Sequence, residues 1–270
     1  MSLLQAIFLG MVQGATEFLP VSSSGHLVLV PWLLGWEGSG LAFDTVLHWG
    51  TMVAVLAYFW RDWASLLQGG WRLLRARDLS DPQGRLLLLL ILGSVPAGVI
   101  GLLLEDFFEA VFATPPAAAF FLLVTAALLL AAERLGDATR DIQGMRWLDA
   151  LVIGLGQALA IFPGVSRSGA TISAGLWRGL QREAAARFSF LLATPIIFAA
   201  GFRQLLSLAA SGELAAGAGT LLAGFVAAAA VGYACIWWLM DFLKRGRLYV
   251  FAGYCAAFGV FCLVVALVRG

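Results

Sequence analysis

Long apolar stretches recur at about 43–60, 86–104, 116–133, 188–206, 214–240 and 248–268. Each supplies about 17–25 mostly apolar residues, enough to cross the hydrocarbon of a bilayer as a helix. A chain built this way cannot hide its apolar surface in one water-soluble core. The 12% charged content is about half of what a soluble domain carries, and 61% of the residues are hydrophobic. The sequence therefore predicts an all-α, polytopic membrane protein, a single membrane domain over residues 1–270. Net charge is only +1, so nothing suggests a nucleic-acid partner. The start, MSLLQAIFLGMVQGATEFLP, lacks a basic n-region and a small-residue cleavage pattern, and reads as mature protein. Cys235, Cys255 and Cys262 lie in apolar stretches with neither a CxxC pair nor a Cys/His cluster, and read as small packing residues.

The connections give sidedness. Basic residues fill 61–85 (Arg61, Arg72, Arg75, Arg77, Arg85), 134–146 (Arg134, Arg140, Arg146), 178–187 (Arg178, Arg182, Arg187) and 241–247 (Lys244, Arg245, Arg247). The 105–115 connection holds Glu105, Asp106 and Glu109 with no Lys or Arg, and the 207–213 turn holds only Glu213. Basic connections stay inside, so the first group is expected in the cytoplasm and the second outside. Trp32, Trp36, Trp60, Trp63, Trp71 and Trp147 fall near span ends, as an interfacial aromatic belt requires.

Two further apolar regions, 1–35 and 147–180, are broken near their middles by Pro, Gly and Ser. Counting crossings makes 147–180 begin and end inside, which is a re-entrant helix hairpin. By symmetry 1–35 is a hairpin entering from outside, with a simple crossing as the alternative. An offset of 144 residues sets Gln13–Gly25 over Gln157–Gly169 without a gap, and Gln, Phe, Val, Ser, Ser and Gly coincide. The expectation is a duplication, repeat 1 about 1–135 and repeat 2 about 145–270. Each repeat has one hairpin and three crossings, so the second is inserted upside down. Non-helical backbone at membrane depth must be buried in protein or line a wet cavity, so the hairpin tips are expected to build a polar site.

The first tip carries Gln13, Glu17, Pro20, Ser22, Ser23, Ser24, Gly25 and His26; the second carries Pro163, Gly164, Ser166, Arg167, Ser168, Gly169 and Thr171. Gln13 and Glu17 share a helix face. Ionisable groups inside a membrane are costly and default to function. Helix starts attract anions, Arg167 can grip phosphate bidentately, and a serine can act as nucleophile. Plainer readings stand beside these: Glu17 and Arg167 as a structural ion pair, His26 and the serines as helix caps. Asp44 and His48, four apart, suit a divalent cation, a proton shuttle or an ordinary interfacial pair. Asp149 and Arg178 read as ordinary interfacial charges.

The two long motifs, Gln13 to His26 and Pro163 to Thr171, together with FDTVLHWGTMVAVL (43–56) and RFSFLLATPIIF (187–198), resemble the undecaprenyl-pyrophosphate phosphatase family of the bacitracin-resistance type over essentially the whole chain. The resemblance implies a membrane hydrolase that converts undecaprenyl pyrophosphate to the monophosphate carrier lipid for cell-wall synthesis. It implies a divalent cation, Mg²⁺ or Ca²⁺, and a site opening to the outer face of the bacterial inner membrane. Carried over by position, Glu17, Ser23, His26 and Arg167 are the catalytic core. Ser22, Ser24, Gly25, Ser166, Ser168, Gly169 and Thr171 surround the phosphate, and Glu17, Gln13 and Asp44 are candidate metal ligands. The chain departs from the pattern at Gln13, where many relatives have Glu, and at His48, where relatives often have Gln. A lipid transporter or flippase is the rival reading, since broken helices in inverted repeats are the usual build of secondary transporters. A non-catalytic scaffold leaves Glu17, His26 and Arg167 without a purpose. Partners are the polyprenyl pyrophosphate lipid and membrane lipids. Gly217, Gly219 and Gly224 allow close helix packing within a monomer or in a homodimer.

Overall fold

A computed structural model describes residues 1–76, 80–112, 114–136, 139–211 and 217–269; of the side chains of 105–112, 203 and 205–211 nothing is said. Among the described residues eleven α-helices follow one another: α1 Leu3–Phe18, α2 Ser23–Leu34, α3 Leu41–Tyr58, α4 Trp60–Ala76, α5 Pro82–Phe112, α6 Pro115–Leu135, α7 Trp147–Ala158, α8 Arg167–Trp177, α9 Arg182–Ser211, α10 Ala218–Phe242 and α11 Tyr249–Arg269. A short 3₁₀ turn, Leu159–Ile161, follows α7. Six stretches are long and apolar enough to cross a membrane: Leu41–Tyr58, Pro82–Leu104, Pro115–Leu135, Arg182–Phe202, Ala218–Phe242 and Tyr249–Arg269. They overlie the six stretches read from the sequence.

Two connections differ from that reading. Residues 60–76 form the helix α4, where the sequence analysis placed a basic loop, because Gly69 and Gly70 are its sole helix-weakening residues and its leucines recur at helical spacing. The supposed outer loop from 105 is helical through Phe112, since no Pro or Gly interrupts the chain between Gly101 and Pro115. The side chains of Glu105, Asp106 and Glu109, together with Arg77 and Glu213, lie outside the described residues.

The short helices α1 and α2 pack on each other, as do α7 and α8, and each pair lies against a long helix distant in sequence: α1 on α10, α7 on α5. Gly10 of α1 and Gly154 of α7, 144 residues apart, are each the point of closest approach. A Cβ on Gly10 would overlap the carbonyl of Gly224, and one on Gly154 would overlap that of Gly93. Only a residue without a side chain lets the backbones come so near.

Carboxylates tie together the end that bears the basic connections. Asp149, fully buried, accepts from Arg140 Nη1 at 2.8 Å and Arg178 Nε at 2.7 Å. Asp149 also caps α7 through the Arg146 amide at 2.8 Å. Asp149 and Arg178 are thus a buried clamp at the base of the second hairpin, not ordinary interfacial charges. Glu133 accepts from Arg182 Nε at 2.7 Å and Nη2 at 2.5 Å, and from the Leu248 amide at 2.8 Å, joining α6, α9 and the start of α11. Asp62 pairs with Arg187.

Candidate active site

Helix α1 stops at Phe18 because Pro20 cannot continue it, and α2 starts only at Ser23. Helix α8 starts at Arg167 after the Pro163-Gly164 break. Each new helix is capped by the serine preceding it. Ser22 Oγ accepts from the Gly25 amide at 3.2 Å, and Ser166 Oγ accepts from the Gly169 amide at 3.0 Å. These caps stand 144 residues apart and satisfy the same orphan donor of a helix start. They differ in backbone. Ser22 has φ 73°, the one non-glycine residue among those described with positive φ, whereas Ser166 is extended. Strain of this kind persists where a site fixes the chain.

The two interruptions meet. Ser168 Oγ donates to the Leu19 carbonyl at 3.2 Å, and the Gly164 amide approaches Ser24 Oγ at 3.5 Å. A Cβ on Gly25 would stand 3.0 Å from Gly164 Cα. Gly164 itself has φ 102° and leaves no room for a side chain beneath Ala118 and Phe121. Helix α6 holds this tip through Thr125, whose Oγ1 donates to the Gly164 carbonyl at 3.0 Å and accepts from the Ser166 amide at 2.9 Å.

At the junction Glu17 is the hub. Its Oε1 accepts from Arg167 Nη2 at 2.6 Å, bridging the two hairpins. Its Oε2 accepts from Ser23 Oγ at 2.6 Å and from Gln13 Nε2 at 2.9 Å. His48 Nε2 stands 3.8 Å from the same oxygen. The His48 Nδ1 lies 2.8 Å from the Asp44 carbonyl, which can only accept, so Nδ1 carries a proton and Nε2 is the nitrogen that faces Glu17. The side chain of Glu17 is nearly sealed, while that of His48 is 34% exposed and that of Arg167 17% exposed. The cluster is therefore least covered at His48, on α3. Ser23 is the sequence-predicted serine whose hydroxyl bonds a carboxylate, and the helix starts of α2 and α8 add free amides beside it.

Other predicted site residues are placed differently. His26 is buried, with Nδ1 2.7 Å from the Ser22 carbonyl and Nε2 2.7 Å from Tyr254 Oη. The carbonyl fixes Nδ1 as donor, so Nε2 accepts from the tyrosine. The ring stacks on Tyr254 and Phe258 of α11. The Thr171 hydroxyl turns into the protein, 2.6 Å from Ser189 Oγ, joining α8 to α9. Ser22, Ser166 and Ser168 are buried, the first two as caps and Ser168 on Leu19. Asp44 accepts from Ser39 Oγ at 2.5 Å, at the start of α3. Sequence reasoning missed Thr125, Tyr254 and Phe258, which sit in spans with no motif around them, and Ser189, which lies within the 187–198 segment but was not singled out. It paired His48 with Asp44, which the imidazole meets through the Asp44 backbone carbonyl, and it missed that the other ring nitrogen faces Glu17.

Among the described residues no three His, Cys, Asp or Glu groups converge to hold a metal. The donor chemistry nonetheless fits an oxygen-seeking cation in part. Gln13 Oε1 is buried without a hydrogen-bond partner, beside the Glu17 carboxylate. A separate groove of about 410 Å³ lies against the second hairpin, lined by Ile100, Val152, Leu155, Phe162, Ala170 and Trp177 among others, none of them a member of the polar cluster. Its lining suits hydrocarbon.

Comparison with known proteins agrees with this geometry. The family model described as bacitracin resistance protein BacA matches residues 6–261. A protein named undecaprenyl-diphosphatase from Rubrobacter xylanophilus is 48% identical, the match covering 99% of this chain and 98% of the relative. One of the same name from Desulforudis audaxviator is 45% identical over 98% of each. Another from Methanosphaera stadtmanae is 44% identical over 99% of each. The chain belongs to the bacitracin resistance protein BacA family.

Proposed function

We propose that this multi-pass membrane protein is a phosphatase that hydrolyses undecaprenyl pyrophosphate to undecaprenyl phosphate and inorganic phosphate, returning the carrier lipid to cell-wall synthesis. The observation that carries the reading is the Ser23–Glu17–Arg167 constellation, one hydroxyl, one carboxylate and one guanidinium bonded across two hairpin tips. A nucleophile joined to a base, with a cation and two helix starts beside it, is what phosphoryl transfer asks of a protein.

In this account Arg167 and the first amides of α2 and α8 bind the pyrophosphate oxygens and hold the terminal phosphorus against Ser23. Ser23 Oγ attacks that phosphorus while its proton passes to Glu17. The bond from the phosphorus to the bridging oxygen breaks, and undecaprenyl phosphate leaves with that oxygen. The departing oxygen takes that proton from Glu17; water, deprotonated at Glu17, then attacks the phosphoserine, the bond from phosphorus to Ser23 Oγ breaks, Oγ regains a proton from Glu17 and inorganic phosphate leaves. His26, held by Ser22 and Tyr254, fixes the strained turn that presents Ser23. Glu17 and Gln13 Oε1 would hold a divalent cation, Mg²⁺ or Ca²⁺, which supplies charge neutralisation for the phosphate oxygens. Asp44, engaged by Ser39, is not needed in that set.

The lipid tail stays among the helices, for which the groove beside α8 offers apolar walls. The partly exposed His48, near the start of α3, lies toward residues 36–42 and away from the basic connections, which supports an opening to the outer face of the bacterial inner membrane. The hairpin caps and glycine crossings that recur 144 residues apart support a duplicated, inverted pair of repeats.

The test is phosphate release by the purified protein in detergent, with Mg²⁺, Ca²⁺ or EDTA. A phosphatase releases phosphate where no second compartment exists, and EDTA stops it. A pure transporter gives none, and that outcome would move the account to lipid transport.

A further inference from the structure

Helix α4 turns one face to the rest of the protein, with Leu66, Gly69 and Gly70 buried. Asp62 pairs with Arg187 in α9. About seven residues on, Gly69 and Gly70 pack against Gln83, Gly84 and Leu87 in α5. Arg187 and Gly84 both lie near the starts of their spans, at the basic end. Seven residues of helix cover roughly 10 Å, about the distance between the axes of two packed helices. Helix α4 therefore lies across the starts of α9 and α5, in the plane of the membrane surface.

Its remaining surface has two distinct sides. Trp60, Leu67, Trp71 and Leu74 are 59%, 65%, 58% and 77% exposed. Spacings of seven, four and three residues stack them on one stripe. Beside that stripe Arg61, Arg72 and Arg75 are exposed. Arg61 lies over the Trp60 ring and Arg75 over the Trp71 ring, at 5.2 and 4.8 Å from the centroids. Arg72 is shared with Asp81, whose carboxyl the Arg72 hydrogen bond holds below its ordinary range, so Arg61 and Arg75 carry the free charge. An apolar stripe rimmed by arginine is the pattern of helices that lie in a lipid interface, and the cytoplasmic leaflet supplies the opposite charge.

We propose that α4 is a binding site for anionic phospholipid of the inner leaflet, with Trp60, Leu67, Trp71 and Leu74 in the acyl region and Arg61 and Arg75 on the phosphate headgroups. This rests on the membrane reading of the fold and not on the phosphatase activity.

The test puts the photo-reactive residue p-benzoylphenylalanine at position 67 (Leu67→benzoylphenylalanine) in the full chain, in nanodiscs of equimolar phosphatidylcholine and phosphatidylglycerol. Mass spectrometry reads what is captured on irradiation. Two exposed arginines near an anionic surface predict phosphatidylglycerol adducts at least about threefold above their share of the bilayer. The same measurement on R61Q/R75Q, checked for helix content and monodispersity, returns the adducts to the bulk ratio. Adducts at the bulk ratio in the parent overturn the site. So does enrichment that survives R61Q/R75Q, capture of a second copy of the chain, or absence of any lipid adduct.

Discussion

Glu17 shows how much one buried carboxylate organises. It accepts from Arg167, Ser23 and Gln13, and those donors come from three places in the chain. Removing it leaves a nearly buried guanidinium with no counter-charge, which costs about 3–5 kcal/mol in comparable pairs. Glu17→Ala is therefore expected to lower the unfolding midpoint in detergent strongly as well as to abolish turnover. Ser23→Ala removes one hydrogen bond, worth about 1 kcal/mol, and leaves the fold standing. Comparing the two by thermal unfolding separates the structural part of Glu17 from its chemistry. Much of this cluster was legible, because an ionisable residue in an apolar run declares itself. The bond between Glu17 and Arg167 followed from supposing that the tips meet. The place of His26 was not legible: nothing in the motif says that its ring is stacked on Tyr254, because that partner lies on α11, in a span whose apolar pattern hides its role. His48 was half legible: its Nδ1 meets the Asp44 backbone carbonyl, while its Nε2 faces Glu17 on another helix.

At the scale of elements, Pro and Gly decide where each helix stops. Pro20 and Pro163-Gly164 interrupt the hairpins and create helix starts deep in the fold. Gly164 has a positive φ and no space for a Cβ. Gly164→Ala is expected to destabilise by about 2 kcal/mol or more and to lower activity, because the strain falls on the tip that carries Arg167. Gly98, with open space around its Cα, is the control: Gly98→Ala in mid-helix should be neutral or stabilising by about 0.5–1 kcal/mol. Unfolding midpoints and phosphate release of the two variants, measured together, check the contrast. Helix α4 was the element the sequence concealed. Its arginines drew the eye as a basic loop, and its leucines and tryptophans make an amphipathic pattern too polar to read as a span.

The whole molecule places its ion pairs by side. Asp149, Glu133 and Asp62 bind arginines at the basic end, and Glu17 binds Arg167 at the centre. The apolar periods and the charge of the connections were enough to give six spans and their order. The ties at the basic end were not, since their partners stand far apart in sequence, as Asp62 and Arg187 do. The proposed sidedness predicts that a cysteine at exposed Gly38 reacts with a membrane-impermeant maleimide in intact cells, while one at exposed Gln143 reacts only after lysis. The reverse pattern would turn the site to the cytoplasm.

The claim that joins these scales is that Ser23, activated by Glu17 where the two hairpins meet, attacks the terminal phosphorus of a lipid pyrophosphate. The most direct test measures phosphate release from undecaprenyl pyrophosphate by the parent protein and by Ser23→Ala, side by side in detergent with Mg²⁺. Expected are steady release by the parent and a loss of at least about 10³-fold in a variant whose unfolding midpoint falls by no more than a few degrees. Release by Ser23→Ala within a few-fold of the parent would contradict it and leave direct attack by water as the chemistry of the site.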